Sequence, residues 1–137
     1  MNTKNLLLGT LLGGVSFFFL GWLIFGILLS PIMEANCSNI ARPMEEMLFG
    51  PLIVSNLLWG LLISISMAWT QKTGALAGLK TASLLGLIIT SAMDLSLYSM
   101  TTYFNNLNAV VFDVFGNVLL YAITGTLLGL LIFKPAK

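Results

Sequence analysis

Hydrophobic residues fill four long runs of the chain, and polar residues collect between them. The first run covers about 6–29 and is broken only by Gly, Thr and Ser before Ser30-Pro31. The second covers about 48–69, with Pro51 placed for a first helical turn, where its missing N–H costs nothing. The third covers about 75–100 and the fourth about 109–133, ending at Lys134-Pro135. A helix needs about 20 apolar residues to cross a hydrocarbon core roughly 30 Å thick, and each run reaches that length. The pattern predicts an all-α membrane protein, a four-helix transmembrane bundle forming a single domain over 1–137. The first run is read as a retained span, because its core is longer than the roughly 7–15 apolar residues of a cleaved signal.

The polar segments add connectivity. The longest loop, 30–47, carries Pro43 followed by Met44, Glu45, Glu46 and Met47. That stretch suits either a short amphipathic surface helix or a solvated loop. The connection around 70–74 is short, so the second and third spans form an antiparallel hairpin. Asn105, Asn106 and Asn108 suit a turn between the last two spans.

Composition says what the solvent is. Of 137 residues, 58% are hydrophobic and 8% charged, against about 25% charged in a soluble domain. The lipid bilayer is therefore the expected partner. No basic stripe is present, which argues against nucleic acid. There is no histidine and one cysteine, Cys37, so no internal disulfide, metal site or cofactor site is expected. No enzyme motif occurs, and no catalytic residue is assigned. Two aspartates could in principle run intramembrane aspartyl chemistry, but the surrounding sequence of such proteases is missing.

Charge placement sets the expected orientation. Lys4, Lys72, Lys80, Lys134 and Lys137 fall on one side, while Arg42 falls on the other with Glu34, Glu45 and Glu46. Positive residues favour the cytoplasmic side. N-in, C-in follows, with the loops at 30–47 and 101–108 outside.

Small residues recur at helical spacing. Gly9-Thr-Leu-Leu-Gly13 in the first span is repeated as Gly125-Thr-Leu-Leu-Gly129 in the fourth. Small residues four apart let helices approach closely in lipid. The expectation is that the first and fourth spans pack there, within one subunit or between two. A weaker echo, Leu58–Ile63 against Leu84–Ile89, is read as chance.

Polar residues inside the spans are the candidate chemistry. An ionisable side chain at membrane depth costs about 2.5–3.5 kcal/mol on insertion scales. Gly86, Thr90, Asp94 and Tyr98 are spaced by four, as are Asp113, Asn117 and Tyr121, and Asn56, Gly60 and Ser64. Asn56, Asp94, Asp113 and Asn117 come out at similar depth, in the outer third. They predict one polar pocket, with Asp94 and Asp113 binding a cation or proton and Asn56, Thr90, Asn117 and Tyr121 orienting it. Plainer roles remain open. Asp113 could be an interfacial acid favouring the helix dipole, and Asp94 or the asparagines could simply link helices. Trp22, Trp59 and Trp69 are read as packing or interface residues, and Phe17-Phe18-Phe19 as lipid-facing.

Three stretches resemble a family of small four-helix bacterial membrane proteins, grouped as a domain of unknown function. They are Phe19-Leu-Gly21-Trp22-Leu-Ile-Phe25-Gly26-Ile-Leu28, Gly74-Ala-Leu-Ala-Gly78-Leu-Lys80 and Phe112-Asp113-Val-Phe-Gly116. The chain departs from that pattern at Ile27 and Ser30-Pro31. The resemblance implies four helices in a bacterial inner membrane and no particular activity. Two functions stay open: a small-ligand, cation or proton binder, such as a minimal transporter, or an accessory subunit that oligomerises through its small-residue faces.

Overall fold

A computed structural model describes residues 2–135, so Lys137 of the charge argument lies outside the described residues. Every named element is helical. They are α1 (Thr3–Leu23), a π-helical turn (Ile24–Leu28), α2 (Ser30–Asn36), a 3-10 turn (Met44–Glu46), α3 (Phe49–Thr70), α4 (Ala75–Met100) and α5 (Leu107–Leu131). The stretches Thr3–Leu28, Phe49–Thr70, Ala75–Met100 and Leu107–Leu131 are each long and apolar enough to cross a membrane. Local caps set their ends. Asn2 and Asn106 accept from the backbone N–H groups of Lys4 and Ala109, both at 3.0 Å, satisfying donors that a helix start leaves orphaned.

The first span covers Thr3–Leu28 and ends just before Ser30-Pro31, as expected. The backbone widens by one residue at Ile24–Leu28, where Leu29 N–H donates to the Ile24 carbonyl at 2.7 Å. It then re-forms as α2 with Pro31 in the first turn, where proline is tolerated. The helix considered after Pro43 is only the 3-10 turn.

Interlocking glycines define the packing. Gly9 abuts Ser64 and Gly13 abuts Gly60, so α1 lies antiparallel against α3. Gly78 meets Gly125, Gly86 meets Tyr121 and Gly129 meets Gly74, so α4 lies antiparallel against α5. Contacts of Gly9 with Phe133 and of Gly116 with Phe25 and Leu29 join α1 to α5 in the same antiparallel sense. The expected pairing of Gly9 and Gly13 with Gly125 and Gly129 is thereby corrected. Each motif is filled by a different neighbour, Gly60 and Ser64 on α3 or Gly78 and Ala82 on α4 with Gly74 just before it, because those positions are equally small. The hairpin of α3 and α4 turns through left-handed Gln71 (φ 53°) and Gly74 (φ 91°). These two helices touch lightly compared with the pairs α1–α3 and α4–α5.

The loops are tied down at one end of the molecule. Cys37 forms an antiparallel bridge with Phe104. Ser38 N–H donates to the Tyr103 carbonyl at 2.7 Å and Asn105 N–H to the Asn36 carbonyl at 2.9 Å. Phe104, Ala109 and Val110 form a small core beneath, with Met33 and Cys37 against it.

Replacing Gly78 by Ala drives a methyl group into the Gly125 carbonyl, and overpacking of that kind costs about 1–3 kcal/mol. Gly50→Ala meets nothing within 4 Å and serves as the control. Unfolding in detergent is expected to show Gly78→Ala clearly destabilised and Gly50→Ala unchanged; equal stability of the two contradicts the packing.

Candidate functional site

Asp94 and Asp113 come together through two ladders of residues four apart. On α4 the buried residues are Gly78, Ala82, Gly86, Thr90 and Asp94. On α5 the facing series is Asp113, Asn117, Tyr121, Gly125 and Gly129. Running antiparallel, Gly78 opposite Gly125 and Gly86 opposite Tyr121 leave Asp94 opposite Asp113. Asp94 precedes the α4 end, Met100, by six residues and Asp113 follows the α5 start, Leu107, by six. At 1.5 Å per residue both lie roughly 9 Å from the helix ends near the tied loops. The stripe read through Tyr98 instead turns outward there, since Tyr98 is exposed.

The two carboxyl groups lie within hydrogen-bonding reach of each other. Asp113 is held by its own helix: Asn117 Nδ2 donates to its Oδ2 at 2.8 Å and to its carbonyl at 3.0 Å. Asp94 has no such help. It is 5% exposed, and no nitrogen or hydroxyl group of the described residues donates to its buried Oδ2. An ionised carboxylate only accepts hydrogen bonds. The contact between the two carboxyls is therefore a hydrogen bond only while one of them holds a proton.

Around the pair is a cavity of about 360 Å³. All six sequence candidates line it: Asn56 from α3, Thr90 and Asp94 from α4, and Asp113, Asn117 and Tyr121 from α5. The Thr90 hydroxyl donates to the Gly86 carbonyl and the Asn56 Nδ2 to the Leu52 carbonyl at 2.7 Å. The Thr90 donor is thus spent on its own helix, while Asn56 keeps a second amide N–H. Part of the wall is aromatic. Phe17 meets Tyr121 edge-on at 4.9 Å and stacks with Trp59 at 6.5 Å, while Trp59 and Tyr121 are 6.0 Å apart.

A second, larger cavity of about 900 Å³ lies under the loops, lined by Ser30, Glu34, Cys37, Ser38 and Tyr103 among others. Phe25, Asp113 and Asn117 border both cavities, while Asp94 lines only the smaller one. Phe25 belongs to the π-helical turn; such turns recur at functional sites. No Lys or Arg of the described residues lines either cavity.

Three wall residues escaped the sequence reading. Phe17 is 6% exposed, a correction to the lipid-facing run, whereas Phe19 is 61% exposed as expected. Its signal was spacing, because Phe17 continues the Gly9–Gly13 series by four. Trp59 sits three residues after Asn56, on the same face, while Trp22 and Trp69 are exposed. Phe25 had no signal, since its direction depends on the π turn. Of the four motif glycines, Gly9 and Gly13 lie on the α1–α3 contact and Gly125 and Gly129 on the α4–α5 contact, none of them lining either cavity.

By length and composition, the four long apolar helices are those of a multi-pass α-helical membrane protein. No family model, curated relative or solved structure matches the chain.

Cys37 reports on the site from outside the spans. Burial pushes its thiol above the ordinary value, and the negative charge of Asp113 and Asp94 adds to the effect. Tyr103 is raised by burial and by the same groups. Removing one negative charge favours the thiolate, so Asp113→Asn is expected to move the pH profile of Cys37 alkylation to lower pH. An unmoved profile contradicts the electrostatic contact.

Proposed function

We propose that this membrane protein binds a proton or small cation between Asp94 and Asp113, as a minimal transporter or a transporter-like subunit. The carrying observation is the buried Asp94 carboxylate, which has no donor to its Oδ2 and faces a second carboxyl in a cavity. Burying such a group is costly unless a proton or cation neutralises it. Asn117 orients Asp113, and Asn56, Thr90 and Tyr121 shape the chamber.

The orientation proposed is N-in, C-in, with the tied loops outside and the site in the outer half of the membrane. Lys4, Lys72, Lys80 and Lys134 support it, all lying toward the opposite end from Glu34, Glu45 and Glu46. The resemblance noted above favours a bacterial inner membrane. In that arrangement the loop cavity is the entrance, and Cys37 in intact cells reacts with membrane-impermeant maleimide; a protected Cys37 reverses the orientation.

The accessory-subunit reading has less behind it. Its motive was free small-residue faces, and Gly9, Gly13, Gly125 and Gly129 each meet a neighbouring helix of the same chain.

The test is stability in detergent from pH 4 to pH 8. Loss of the shared proton leaves two carboxylates facing each other with no cation beside them, so the wild type is expected to lose stability toward the alkaline end. The other titratable groups facing the pair are Cys37, Tyr103 and Tyr121, with Glu34 in the larger cavity. The double variant Asp94→Asn, Asp113→Asn is expected to flatten the dependence. Identical pH profiles for wild type and variant remove the proposal.

A further inference from the structure

We infer that the occupant of the 360 Å³ chamber, beyond a proton, is a small primary ammonium with an apolar carbon body. The inference rests on the cation-binding reading above and names its ligand class. Its ground is the donor and acceptor inventory of the walls. Asp94 and Asp113 present carboxylate oxygens, and Asn117 already donates to Asp113. Thr90 has turned its hydroxyl, and Asn56 one of its two amide N–H groups, onto its own helix. The Asn56 amide oxygen makes no hydrogen bond among the described residues. The chamber thus sets two carboxyls among neutral donors on Ser55, Asn56, Trp59 and Tyr121. An ammonium brings three N–H donors, a positive charge and no acceptor, which complements the paired carboxyls. An anion does not.

The remaining walls separate an organic cation from a metal ion. The described residues hold no cluster of three or more His, Cys, Asp or Glu suited to a metal, and hard cations need about six or more oxygen ligands. The same chamber is lined by Phe17, Trp59 and Tyr121 in mutual contact. Aromatic faces attract cations and cover apolar carbon. The volume lies at the low end of the about 300–1,000 Å³ usual for small-molecule sites. Glu34 on the wall of the larger cavity, which no Lys or Arg of the described residues lines, favours entry of a cation.

The same chemistry could come from a free amine or from the ethanolamine headgroup of a lipid. The experiment is a calorimetric titration of the full chain with n-butylammonium at constant ionic strength, in phosphatidylglycerol vesicles and in vesicles containing phosphatidylethanolamine. Saturable binding is expected, weakened at least tenfold in Asp94→Asn and severalfold in Trp59→Leu, with folding of each variant checked by circular dichroism. Sodium at matched ionic strength is expected not to compete. Competition confined to the phosphatidylethanolamine vesicles assigns the ammonium to the lipid and supports the class. Sodium competing as strongly as butylammonium overturns the inference in favour of an inorganic cation. Absence of saturable amine binding with the pH-linked stability of the aspartates intact overturns it and leaves the proton reading standing. Loss of both overturns both.

Discussion

Close backbone contact between α4 and α5 is the constraint on which the rest depends. Lipid gives helices no hydrophobic reason to associate, so packing of small residues has to hold them. Gly78, Ala82 and Gly86 on one helix and Gly125 and Gly129 on the other let the two backbones touch. Residues four apart form a ridge inclined to the helix axis. Two such ridges, running antiparallel, stay in register for their whole length. At the end with the termini the register brings glycine to glycine. At the end with the loops it brings Asp94 to Asp113. The carboxylate pair is thus a consequence of how the helices fit, and any change that spreads the glycine contact would also part the aspartates.

The other elements complete the site around that pair. α1 reaches α5 through Phe17 and Tyr121, and α3 adds Trp59 and Asn56. These supply an apolar wall and one polar group. Phe25 of the π turn at Ile24–Leu28 borders both cavities. The bridge between Cys37 and Phe104 holds the loops over the larger cavity. A polar chamber at membrane depth is costly to build, and here the buried Asp94 Oδ2 is left without a hydrogen-bond partner among the described residues.

Much of this was legible in the sequence, for physical reasons. Spans are legible because crossing a bilayer demands long apolar runs, and the four runs agree with the helices to within about three residues. The convergence of Asn56, Thr90, Asp94, Asp113, Asn117 and Tyr121 was legible because spacing by four fixes a face and span arithmetic fixes a depth. The partners of the glycines were not. A small-residue motif states how closely a neighbour can approach and says nothing about which neighbour, and Gly60 and Gly78 were as suitable as the glycines of the matching motif. Phe17 was misread because three phenylalanines in a row look alike until the face of each is known. The π turn shifts the following residues by one position, which no periodicity argument anticipates.

The central claim is that Asp94 and Asp113 act as one proton-sharing unit, and infrared difference spectroscopy of the carboxyl C=O stretch tests it most directly. In the wild type a single pH-dependent protonated-carboxyl band is expected, and either Asp94→Asn or Asp113→Asn alone should remove or displace it. Two separable bands, each assigned to one aspartate and unaffected by substitution of the other, would contradict the account.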